Sequence, residues 1–93
     1  MNDSSVIRIG KNTQVSTLAS RILDQVRESG YVTLETVGAD AVNQAVKAVA
    51  RARQTAEFEG LSLVIVPQLA DIPLGHGSQT AVHLAVIDIS GNA

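Results

Sequence analysis

The sequence has no cysteine and no tryptophan, and Tyr31 and Phe58 are its only aromatic residues. Without Cys there is no disulfide, zinc–thiolate site or thiol nucleophile. Long apolar runs are missing too. The longest, Leu63–Val66 and Leu84–Ile87, span four residues each, where a membrane helix needs about twenty. The opening MNDSSVIRIG lacks the basic and apolar regions of a signal peptide. A soluble, cytoplasmic protein with no membrane partner is therefore expected. Positive charge is not in excess either: seven Lys and Arg stand against nine Asp and Glu, a formal charge of −2. Phosphate neutralisation supplies most nonspecific nucleic-acid affinity, so a polyanion site here has to come from local clustering of cations.

What remains is 93 residues, 45% of them apolar and drawn mainly from Ala, Val, Ile and Leu. That length fits one domain over residues 1–93. A chain so short buries about 60–65% of its unfolded surface, and self-association is a common way to stabilise such a scaffold.

The pattern predicts β-α-β-α-β-β. Val6–Ile9 is a short strand with Ile7 and Ile9 on one side and Arg8 on the other. After the loop Gly10-Lys11-Asn12-Thr13, the Thr13 hydroxyl is placed to cap a helix. Val15, Leu18, Ala19, Ile22, Leu23 and Val26 draw one apolar stripe on it, and Gly30 ends it. Arg21, Asp24, Gln25 and Glu28 fall on the other face. Tyr31–Val37 is a second strand. A second helix runs from Ala39 to Glu57, with Val42, Ala45, Val46, Val49, Ala52 and Ala56 as its predicted buried arc. Leu61–Val66 and Thr80–Ile89 read as strands, and with Pro67–Gln79 between them they form a long β-hairpin whose tip, at Gly75-His76-Gly77, projects. The tail Ser90–Ala93 is expected to fray.

The fold class is α/β (α+β), with two helices on one face of a four-stranded mixed sheet. Its other face would carry Val64, Val66, Ala85 and Ile87. That is too apolar for water, and self-association into a homodimer or tetramer follows.

Catalytic and metal motifs are not found. Gly75-His76-Gly77-Ser78 is neither a Walker loop nor a dinucleotide fingerprint. The two histidines, His76 and His83, have no carboxylate at ligand spacing, so no metal or other cofactor is expected. No nucleophile elbow accompanies any Ser, His and Asp. Glu57 and Glu59 read as solvated surface at a helix end. Neither an enzyme nor a small-molecule substrate is expected.

Down the second helix, Asp40, Asn43, Gln44, Lys47, Arg51 and Gln54 share a stripe, with Lys47 and Arg51 neighbours at i and i+4. A solvated helix face has that look too. Here, however, two adjacent cations and three amides occur with one acid, and amides and Arg contact phosphate, sugar and base edges alike. Lys11, in the loop before the first helix, stands where free backbone N–H groups favour anions. Arg53, at the margin of the apolar arc, either runs its stem along the core edge or reaches across an interface between copies.

The block GADAVNQAVKAVARAR at 38–53 closely resembles the stage V sporulation protein S family of bacteria. VIRIGKNTQVSTLASRIL at 6–23, LSLVIVPQLADI at 61–72 and TAVHLAVID at 80–88 fit the same family. That family looks like a bacterial branch of the Alba-like fold, whose archaeal members are dimeric DNA- and RNA-binding chromatin proteins. The resemblance implies a single Alba-like domain. Lys11 matches the Alba loop lysine that contacts nucleic acid and is acetylated. Asn43, Lys47 and Arg51 match polar helix positions of the sporulation family. The resemblance stops short of Alba's basic hairpin arm: Pro67–Gln79 holds no Lys or Arg, and Asp71 is acidic.

Together these readings point to a non-enzymatic, homo-oligomeric regulator of bacterial development such as sporulation, binding DNA or RNA. Lys11, Asn43, Gln44, Lys47 and Arg51 are its candidate contacts, with two copies of Lys11, Lys47 and Arg51 along one surface of a dimer. Sequence specificity should be low, with no recognition helix or aromatic stacking platform evident. The alternative is a protein–protein interaction module on the same scaffold that has lost nucleic-acid affinity.

Overall fold

Alternation writes the first strand. In β1 (Val6–Ile9), Ile7 and Ile9 are buried while Val6 and Arg8 face out. Strand β1 pairs in parallel with β2 (Tyr31–Thr36). A parallel pair cannot close through a tight turn, and helix α1 (Val15–Ser29) supplies the crossover. These come from a computed structural model that describes residues 6–91. The remaining elements are α2 (Ala39–Phe58), β3 (Leu63–Leu74) and β4 (Gly77–Asp88). The predicted β-α-β-α-β-β order holds, and the sheet runs β1-β2-β4-β3.

Leu18, Ala19, Ile22, Leu23 and Val26 of α1 are buried as the 3.6-residue spacing predicts. Ile22 is fully enclosed, which contributes roughly 2–3 kcal/mol for a side chain of that size. Gly30 ends the helix at φ 86°, its N–H donating to the Val26 carbonyl; a left-handed position of this kind favours Gly. Gly38, at φ 92°, makes the turn from β2 into α2. The start of α1 departs from expectation. Gln14, not Thr13, is the capping position, and no side chain caps it. The Thr13 hydroxyl instead accepts from the Gly10 N–H at 2.9 Å, closing the loop on itself.

The buried arc of α2 is also rotated. Ala41, Ala45, Ala48, Val49, Ala52 and Ala56 are enclosed, whereas Val42 is half-buried and Val46 is exposed. Alanines let α2 lie close to α1 and the sheet, and the bulkier valines are turned to the margin. Strand β2 ends at Thr36, one residue before the predicted limit, and Thr36 itself is fully buried.

The largest correction concerns β3 and β4. The sequence reads a long hairpin here with strands over Leu61–Val66 and Thr80–Ile89. The hairpin is present, but its strands pair without a break from Leu63↔Asp88 to Leu74↔Gly77, well past those bounds, and turn through Gly75 and His76. The prolines permit this because of phase. The Ile89 N–H donates to the Ser62 carbonyl, so residues of Ser62's parity bond toward β4. Pro67 and Pro73 have the opposite parity, and the nitrogens that cannot donate face the open edge. Past the end of β2 the hairpin continues as a two-stranded arm, and the molecule is 46 Å long but 27 by 21 Å across. Ser90 is held rather than frayed, its N–H and hydroxyl both donating to Asp88. Residues 92 and 93 lie outside the described part of the chain.

Both helices cover one face of the sheet. The other carries Tyr31, Ile87 and Val64 in one row and Val6, Thr33, Ala85 and Val66 in the next. Val66 is 50% and Tyr31 44% exposed. The third row is polar. There the Glu35 carboxylate receives Arg8 Nε at 3.0 Å on one oxygen and lies 2.9 Å from His83 Nε2 on the other. Among the described residues, no helix is long and apolar enough to cross a membrane.

Candidate nucleic-acid interface

Helices α1 and α2 lie side by side and run in the same direction. At their N-terminal ends Gln44 of α2 donates through Nε2 to the Thr13 carbonyl at 2.8 Å. At their C-terminal ends Arg27 of α1 grips Glu59 with two parallel bonds, Nε to Oε1 at 2.9 Å and Nη2 to Oε2 at 2.5 Å. This ion pair holds the Glu59 carboxyl below the usual carboxylate range and raises the Arg27 guanidinium. Glu59 is on the surface, as the sequence suggests, and is ion-paired there.

Lys11 stands exposed in the turn that Thr13 closes, with the Thr13 N–H donating to the Gly10 carbonyl at 3.2 Å. Because Gln44 holds the same Thr13, the Lys11 loop is seated against the α2 stripe. Lys47 and Arg51 follow Gln44 along that stripe at i+3 and i+7, about 5 and 10 Å further on. Asn43, Lys47 and Arg51 are exposed. Gln44 is half-buried, and its amide nitrogen is engaged by the loop. The structure thus seats the Lys11 loop against the N-terminal part of α2 through Gln44, and Asn43, Lys47 and Arg51 continue along one side of that helix.

Three of the seven cationic side chains are in ion pairs: Arg8 with Glu35, Arg27 with Glu59 and Asp24, and Arg53 with Glu57 at 3.9 Å. Among the described residues, Lys11, Arg21, Lys47 and Arg51 have no acidic side chain within ion-pair distance. Arg53 is half-exposed and lines a groove with Val46, Val49, Ala50 and Leu63–Ile65. Arg21 borders a hollow between α1 and β1 with Thr13, Gln14 and Thr17. The sequence shows Arg21 only as a solvent-facing residue, because freedom from acids depends on tertiary contacts.

A second missed residue is Phe58, 94% exposed at the last position of α2. It continues the Lys47, Arg51, Gln54 series at i+11, on the same side of the helix. Its spacing is legible in the sequence, but its exposure is not, because a helix-end Phe ordinarily folds back on the core. Among the described residues, no three His, Asp or Glu side chains come together to hold a metal ion.

A family model described as stage V sporulation protein S matches residues 5–89. The chain belongs to the stage V sporulation protein S family. That membership associates it with sporulation, in a family of regulatory proteins rather than a known enzyme family. The match takes in the Lys11 loop, both helices and the whole hairpin.

Proposed function

We propose that this member of the stage V sporulation protein S family is a non-enzymatic regulator that self-associates and binds DNA or RNA with low sequence specificity. The reading rests on the Gln44–Thr13 bond, which seats Lys11 beside a helix stripe whose Lys47 and Arg51 have no acidic partner among the described residues. Phosphates meet Lys11, Lys47 and Arg51, while Asn43 adds a polar contact and Gln44 holds the loop in place. The uncovered apolar sheet face supports self-association.

The test is a salt series of binding to short duplex DNA and to single- and double-stranded RNA, with the Lys11→Glu/Lys47→Glu double variant alongside. Micromolar binding with a steep negative log–log salt slope, lost in a folded double variant, is expected. Binding retained by that variant would overturn the site. A second reading, a protein-interaction module, is favoured by the arm, which carries Asp71 and no cation and exposes Leu69. Absence of binding at about 50 mM salt, where screening is weak, would select it.

A further inference from the structure

Phe58 is out of place as a structural residue. It is the only phenylalanine in the chain, and almost none of its surface is buried. A side chain of this kind normally goes to the core or an interface. It does not sit on a fraying end. The Glu59 N–H donates to Ala56, the Gly60 N–H to Glu57 and the Leu61 N–H to Ala56, closing the helix. The Arg27–Glu59 pair then ties that end to α1, so the ring is presented from a fixed backbone.

Its surroundings are those of a polyanion site. Lys47, Arg51, Gln54 and Phe58 recur at i, i+4, i+7 and i+11, a single line along α2 with Phe58 about 10 Å beyond Arg51. The two acids flanking Phe58 are both engaged, Glu57 by Arg53 and Glu59 by Arg27, which lowers the repulsion a phosphate would meet. A cationic line ending in a rigid, exposed ring has the composition of a single-strand binding platform. Cations follow the backbone, and the ring stacks on a base of any identity. A duplex keeps its bases stacked on one another and offers such a ring no face.

We propose that Phe58 is a base-stacking residue, and that the ligand of the α2 surface is single-stranded nucleic acid or a nucleic acid with unpaired bases. This rests on the nucleic-acid reading above and narrows it. Because the chain has no tryptophan, Phe58→Trp places a lone tryptophan at the contact, excited selectively over Tyr31 at the red edge of its absorption. The experiment compares wild type, Phe58→Ala, Phe58→Leu and Phe58→Trp on a thymidine strand of about twelve nucleotides, within the usual site size, and on a duplex of equal length. Alanine and leucine should each weaken single-strand binding about 5- to 100-fold, the range for loss of one stacked base, with the salt slope unchanged because no charge is removed. Duplex binding should not change. Trp should retain single-strand binding, with its emission quenched on saturation.

Wild-type binding with a steep salt slope that Phe58→Ala leaves intact would overturn the stacking role and leave the phosphate surface standing. Failure of the wild type to bind either probe would overturn both. If Phe58→Ala instead lowers the mass of the free protein without changing single-strand affinity, the ring contacts a second copy and the proposal is wrong.

Discussion

Gln44 and Thr13 lie 31 residues apart in the chain and are joined by a 2.8 Å hydrogen bond from side-chain amide to backbone carbonyl. The bond links the loop lysine, Lys11, to the α2 face that carries Lys47 and Arg51. Replacing Gln44 by Met keeps the length and removes the donor. Binding of a single-stranded oligonucleotide should weaken roughly twofold to tenfold, the fold-change of one neutral hydrogen bond, with the salt slope unaltered. Amide exchange of Gly10–Thr13 should quicken. Unchanged exchange would mean that Gln44 does not position the loop.

Charge removal should act differently. Lys47→Ala and Arg51→Ala each delete one phosphate contact, so each should reduce the magnitude of the log–log salt slope by about 0.7 on a single strand. Arg53→Ala removes a cation already shared with Glu57 and turned toward β3, and should leave the slope as it is. A slope that responds equally to all three would indicate a diffuse charge effect rather than a site.

Much of this architecture was legible in the residues. Periodicity placed α1 and its buried stripe, and alternation placed β1 and β2, because these elements bury one clean face each. The rotation of α2 was not legible: a helix with alanines on several sides offers two competing arcs, and only the neighbouring surfaces choose between them. The length of β3 was hidden by its prolines, which read as breaks until the phase of the ladder is known. For the candidate site, Lys11, Lys47 and Arg51 could be nominated from spacing. Gln44's role as a joint, and the pairing of Arg27 with Glu59, depend on contacts 31 and 32 residues apart in sequence. Ion pairs within α2, such as Arg53 with Glu57, could be read from spacing alone.

Thr36 is the one buried polar residue among the described side chains, its hydroxyl donating to the Val82 carbonyl at 2.8 Å. It sits where β2 stops and the arm leaves the sheet. Thr36→Val preserves the shape and removes the bond, and should cost about 1 kcal/mol in urea unfolding. A variant as stable as wild type would show that the hydroxyl contributes nothing net.

Self-association through the open sheet face is tested by charge insertion. Val66, half-exposed on that face in the edge strand β3, becomes Arg; Val46, exposed in the groove between α2 and β3, becomes Arg in a second variant. Light scattering should give an oligomer for wild type and Val46→Arg, and a monomer for Val66→Arg with its circular dichroism intact. The opposite pattern would move the interface to the α2–β3 groove.

Asp88, at the end of β4, ties the start of β3 to the tail. Its Oδ1 accepts from the Ser62 N–H at 2.9 Å, the Ser90 N–H at 3.0 Å and the Ser90 hydroxyl at 2.7 Å. The Ser62 bond foremost, then the two from Ser90, hold the carboxyl below its ordinary range. All three donors favour the ionised form. The unfolded chain lacks them, so it takes up a proton at higher pH than the folded one. The stabilisation is therefore present above the unfolded value and is lost as pH falls through the folded one. Asp88→Asn should lower Tm at pH 7, and the gap from wild type should close steadily on acidification below the ordinary carboxylate range. Because the group is exposed, the gap at neutral pH should also be small. A gap that stays constant into acid would assign the loss to geometry rather than to charge.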